Sequence, residues 1–132
     1  MSTSSSPESS VVILFGHGAR DPEWAAPMRR IREHMLVQPD APAVELAFLE
    51  FMQPTLPDAI VRIAASGVQR IAIVPIFLGQ GGHLKRDLPI LLEQVCAAHP
   101  ECEITLAAAV GESASVIAAI SASAGANRWI GL

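Results

Sequence analysis

The feature that most limits how this chain can fold is an apolar run, Ile71 to Leu78 (IAIVPIFL), that breaks at Gly79, Gly81 and Gly82. A histidine, His83, then opens a helical pattern. An apolar run bounded by glycines reads as a buried strand, and the residues beyond it as a loop and a helix N-terminus. Two other runs end in the same way: Val11 to Phe15 leads into Gly16-His17-Gly18, and Val44 to Leu49 leads into Glu50. In open α/β sheets, ligands bind where strands end and helices begin. Glu50 follows His17 by 33 residues and His83 follows Glu50 by 33, so the three are read as one constellation at one edge of one sheet.

The rest of the chain alternates in the same sense. Ser10 to Phe15 is apolar throughout, as a central parallel strand covered on both faces requires. Asp21-Pro22 predicts a helix start, because Asp caps free backbone N–H groups and Pro at the first helical position has none to lose. Trp24, Met28, Ile31, Met35 and Leu36 continue it at helical spacing, up to Pro39. Ala43 to Leu49 alternates apolar residues with Glu45 and Ala47, as an edge strand does. Thr55 and Pro57 open a helix that buries Ala59, Ile60, Ile63 and Ala64 and stops at Gly67.

A third strand is expected over Arg70 to Leu78. A third helix follows from about Leu84, carrying Leu88, Leu91, Leu92 and Val95. A fourth strand is expected over Glu103 to Val110. Behind Gly111, a last helix from about Glu112 to Ala124 should turn Val116, Ile117 and Ile120 inward. Four strand–helix units predict a single-domain, three-layer α/β/α fold with a four-stranded parallel sheet and right-handed crossovers.

With 132 residues, 51% of them hydrophobic and 17% charged, one core is possible and two are not. The domain is expected over residues 10–125, after a Ser-rich disordered lead-in (1–9) and before an apolar tail (126–132). Exposed Trp129 and Ile130 in that tail suggest a partner surface or a fold-back. A net charge of −4 argues against a nucleic-acid partner. The N-terminal stretch is too short and lacks the basic residues of a signal or a membrane span. Cys96 and Cys102 show no CxxC spacing, and a reducing cytoplasm is the expected compartment. Cys96, His99 and Cys102 fall short of the four ligands of structural zinc, so Cys96 is read as a core thiol and His99 as a surface residue.

Two imidazoles and a carboxylate around one hollow suit a borderline divalent ion such as Co²⁺, Fe²⁺, Ni²⁺ or Zn²⁺, with coordination positions left open. Asp87, four residues after His83 on the same helical face, either orients that imidazole or pairs with Lys85 or Arg86. The glycines do not make a phosphate cradle, because Leu84 stands where GxGxxG needs glycine and no Gly-Lys-[Ser/Thr] follows. They read instead as a roomy loop over a large ligand. No GxSxG nucleophile elbow occurs. Gly16-His17-Gly18 lacks the arginine of a histidine phosphatase.

The segments HGARDP (His17 to Pro22), ELAFLEFMQP (Glu45 to Pro54) and VPIFLGQGGHLKRDLP (Val74 to Pro89) resemble the short CbiX/SirB-type sirohydrochlorin chelatases of the class II chelatase superfamily. The resemblance runs from about Val11 to Gly111. It implies a lyase that inserts cobalt or iron into sirohydrochlorin towards cobalamin or sirohaem, with no prosthetic group and the metal as substrate. It also implies His17, Glu50 and His83 as metal ligands and a homodimeric assembly. Ala19 departs from the common Ser, at a side chain that is not a ligand. The substrate's carboxylates would need local donors, and Arg20, Lys85 and Arg86 stand beside the two histidines. A non-catalytic metal or tetrapyrrole carrier on the same fold is the other reading.

Overall fold

The computed structural model describes residues 9–127, and of His83 the backbone alone. The elements run β1 (Ser10–Gly16), a 3-10 turn (Pro22–Ala25), α1 (Ala26–Leu36), β2 (Ala43–Phe48), α2 (Leu56–Ala65) and β3 (Arg70–Pro75). There follow α3 (Gly82–Ala98), β4 (Glu103–Leu106), a second 3-10 turn (Val110–Glu112) and α4 (Ala114–Asn127). Every pairing is parallel and the strand order is β2-β1-β3-β4. The most apolar strand, β1, is therefore central: Leu14 pairs with Leu46 on one side and Val74 on the other. The alternating strand β2 is at the edge, as its pattern predicted.

Pleating sends successive β1 side chains to opposite layers. Val11, Ile13 and Phe15 join Ile71 and Ile73 in a core closed by Ala59, Ile60 and Ile63 of α2 and Leu88 and Val95 of α3. Leu14 and Val44 face the other way and pack with Ala25 and Met28. Helices thus lie on both faces, giving the expected three layers. Local signals fix the helix ends. Thr55 Oγ1 accepts from Asp58 N (3.3 Å), and Gly67, at φ +91°, ends the turn after α2 where a side chain would be strained.

The structure corrects several expectations. Asp21 does cap, accepting from Glu23 N at 3.0 Å, but Pro27 has no N–H to give, so the first turn is 3-10 and α1 begins only at Ala26. On α1, Met28 is buried and Met35 partly so, whereas Ile31 and Leu36 are exposed, because the helix covers only the β1–β2 part of its face. The strand β3 ends at Pro75, short of the apolar run, and α3 begins at Gly82. The strand β4 ends at Leu106.

The helix α4 runs through Gly125, and none of its residues is buried: Ile117 is 50% and Ile120 45% exposed. Its sequence, ASVIAAISASAGAN, has no charged residue to mark a solvent side, so periodicity could not say which way it faces. Trp129, Ile130 and residues 1–8 lie outside the described residues. Among those described, no helix is long and apolar enough to cross a membrane.

Candidate functional site

The ladder between β1 and β2 continues past both strands into their loops. Leu49 N donates to Gly16 O (2.9 Å) and Glu50 N to His17 O (3.1 Å), which sets His17 and Glu50 side by side at the carboxyl edge of the sheet. Gly18 makes this approach possible. It sits at φ +87°, and a Cβ there would lie 1.9 Å from Glu50 O, so a side chain would push the two loops apart.

The His17 ring lies against Phe77, with centroids 4.5 Å apart. Phe77 is buried and meets Phe15 edge-on at 5.7 Å. Its carbonyl accepts from Gly111 N (2.9 Å), and a Cβ on Gly111 would meet Leu78 O at 1.9 Å. The residues that overran β3 are therefore not strand. Phe77 is the wall behind His17, and Leu78, 72% exposed, points away from the core.

A cavity of about 520 Å³ is lined by His17, Leu49, Glu50, Gly81, Leu84 and Asp87. Two of the expected residues thus share a hollow, and the third arm reaches it as well. His83 lies in the first turn of α3, between Gly81 and Leu84, both of which line the cavity; its side chain is outside the description. Among the described residues no trio of metal-ligating side chains converges. Asp87 faces the cavity. Lys85 and Arg86 are exposed on α3, and neither they nor Arg20 nor Phe51 are among the residues lining it. Arg20 stands over the Phe51 ring, its guanidinium carbon 5.0 Å from the centroid. No sequence signal marks Phe77, Phe51 or Leu84 as neighbours of these residues: an aromatic or leucine in an apolar run looks the same whether it packs a core or stands beside a cavity.

A second hollow, about 370 Å³, lies on the outer edge of β2 and includes Arg29, Arg32, Arg62 and Glu45. Its charges are largely answered within the chain: Arg62 pairs with Glu45 at 3.2 Å, and Arg32 Nε donates to Val44 O at 2.6 Å. The cysteines form no metal site among the described residues. Cys102 Sγ points at Val68 O (3.2 Å), Cys96 packs against the core, and His99, expected at the surface, is only 17% exposed beside Glu101. Burial pushes the Cys102 thiol above its ordinary value, with the Glu101 carboxylate adding to the effect.

Comparison with known proteins places the chain in a family. A sirohydrochlorin cobaltochelatase from Methanopyrus kandleri is 41% identical over 81 residues, covering 61% of this chain and 57% of that protein. One from Methanococcus aeolicus is 36% identical over 92 residues, covering 70% of this chain and 61% of that protein. The chain thus spans about three fifths of the length of these relatives. Among solved structures, a CbiX protein from Marinobacter aquaeolei VT8 superposes with a TM-score of 0.76 at 27% identity, over 89% of this chain and 96% of that one. The chelatase SirB from Bacillus subtilis subspecies spizizenii, in complex with cobalt, has the same fold (TM-score 0.73, 24% identity), with 89% of this chain covering 50% of that one. The CbiX family model matches residues 11–126, from the second residue of β1 almost to the end of α4, and the chain belongs to the CbiX family.

Proposed function

We propose that this chain is a sirohydrochlorin chelatase that inserts Co²⁺, or Fe²⁺, into sirohydrochlorin in cobalamin or sirohaem synthesis. The observation that carries the reading is that His17 and Glu50 line one open cavity with Gly81 and Leu84, which bracket His83 in the sequence. Relatives bearing the name sirohydrochlorin cobaltochelatase, and SirB structures with cobalt and with Fe³⁺, support the choice of ring and metal.

In this reading His17, Glu50 and His83 hold the incoming dication. Three protein ligands leave coordination positions through which the ring nitrogens can take it over. Insertion replaces two pyrrole N–H bonds by nitrogen–metal bonds, so two protons must leave. A neutral imidazole or the Glu50 carboxylate accepts them at the cavity wall. Asp87 orients the His83 imidazole from the next turn of α3. Arg20, Lys85 and Arg86 take carboxylates on the ring's periphery. The ligand set accepts cobalt, iron or nickel, and the choice among them follows supply as much as affinity.

A homodimer fits the exposed Ile117 and Ile120 of α4, together with Val12 and Val74, which are only partly covered on the face α1 leaves open. A cytoplasmic setting fits two free thiols. The test is purified protein with sirohydrochlorin and Co²⁺ under anaerobic conditions, with absorbance followed against a protein-free control. Insertion faster than the control is expected. A rate equal to the control, with metal or ring still bound, would leave a carrier. His83→Ala should abolish turnover with the fold retained by circular dichroism, and full activity in that variant removes His83 from the site.

A further inference from the structure

We propose that Phe51 is a substrate-positioning residue: its ring holds the Arg20 guanidinium beside the His17–Glu50 cavity, where the guanidinium meets a carboxylate on the edge of a flat, polyanionic ring. The inference rests on the tetrapyrrole reading above. Phe51 directly follows Glu50 and is 58% exposed. Its backbone is left-handed (φ 68°), a conformation that is strained for a bulky residue and that Gly or Asn would adopt more easily. The Phe51 ring is not part of the core clusters, and the contact it makes is with a cation.

It touches Arg20, whose guanidinium carbon lies 5.0 Å from the ring centroid. Among the described residues Arg20 has no ion pair and no hydrogen bond, in contrast to Arg62 and Arg32 on the outer edge of β2. An unpaired guanidinium parked on an aromatic face keeps its N–H edge free for a planar, bidentate carboxylate. The loop after β3, on the other side of β1, carries a second exposed apolar side chain, Leu78. Neighbouring strands lie about 4.8 Å apart, so the β2 and β3 loops are separated by roughly 10 Å, with His17 between them. Arg20, Phe51 and Leu78 do not line the cavity itself but lie on the loops that form it. There an apolar ring extending past the cavity, with carboxylates on its rim, would meet an apolar group on each flanking loop, a cation at one edge and the proposed metal ligands between them.

The experiment measures the dissociation constant for metal-free sirohydrochlorin by absorbance titration, which needs no turnover. It compares wild type with Arg20→Ala, Phe51→Ala, the double variant and Phe51→Trp. Each alanine variant should weaken ring binding roughly tenfold. The double variant should be no worse than the poorer single, because both act through one contact. Phe51→Trp should bind like wild type, and the Co²⁺ affinity of the ring-free protein should be the same in all five proteins. Unchanged ring affinity in Phe51→Ala, additive losses in the double variant, or a parallel loss of Co²⁺ affinity overturns the proposal. The chelatase reading fails separately, on absence of accelerated insertion by wild type.

Discussion

The two sides of the candidate cavity are built differently. On the β1–β2 side the backbone is pinned: the loops are tied by Leu49 N to Gly16 O and Glu50 N to His17 O, and at Gly18 an added Cβ would lie 1.9 Å from the neighbouring carbonyl. On the β3 side, Gly79, Gly81 and Gly82 carry no such constraint, and a Cβ built on any of them meets nothing within 4 Å. The difference teaches how the proposed site for an ion in transit would be arranged. His17 and Glu50, two of the proposed ligands, sit on loops whose backbones are held at fixed spacing by hydrogen bonds and close packing, while the loop leading to His83, the proposed third, has open space around its glycines. A resident metal would favour tight packing on both sides, since preorganisation of every ligand raises affinity and slows release.

The widest contrast comes from adding one methyl group to each side. Gly18→Ala should lower turnover by about 100-fold, because displacing a reacting group by about 1 Å costs that much. It should also cost roughly 1–3 kcal/mol of stability in a denaturant melt, since φ +87° is strained for alanine. Wild-type turnover in Gly18→Ala would break the comparison. Gly79→Ala, with open space around it, should change stability far less and can raise it by about 0.4–1 kcal/mol by restricting the unfolded chain. A loss as large as that of Gly18→Ala would show the β3 loop to be as tightly specified as its neighbours.

The smallest expected effect lies at the opposite end of the sheet, at Cys102, and sharpens the comparison by having no bearing on the site. Its thiol is raised above the ordinary value of 9.0, chiefly by burial. Below about pH 9 both folded and unfolded chains hold the proton, and above it the unfolded chain releases its proton first, so stability falls as pH rises towards the folded value. Thermal melts between pH 8 and 10 should show a component of that loss that Cys102→Ala lacks, with equal turnover in the two proteins where both are folded.

Much of this architecture was legible in residue order because its signals are local. Apolar runs marked β1, β2 and β3, Thr55 and Gly67 marked the ends of α2, and the stripe Leu84, Leu88, Leu91, Leu92 and Val95 marked the packed side of α3. Glu50 was legible as a partner of His17 because both stood at strand exits. Other features were not. Phe77 and Leu78 continue the β3 run without joining the ladder, and only three-dimensional packing makes one a wall for His17 and leaves the other exposed. The helix α4 was read as packed inward because its isoleucines had helical spacing, yet a helix with no charged face gives periodicity nothing to orient against. The pairing of Arg20 with Phe51 joins two loops 31 positions apart, which spacing cannot predict.

By itself the sequence determined that parallel strands alternate with helices and that His17, Glu50 and His83 each follow a strand, because side-chain periodicity and glycine punctuation act over a few residues. The tertiary structure decided the order β2-β1-β3-β4, which seats the His17 loop between the other two, and the backbone bonds that set Glu50 beside it. Equal intervals of 33 residues are compatible with several strand orders. Which loops become neighbours depends on crossovers and on the faces that α1, α2 and α3 cover, and those are properties of the assembled layers.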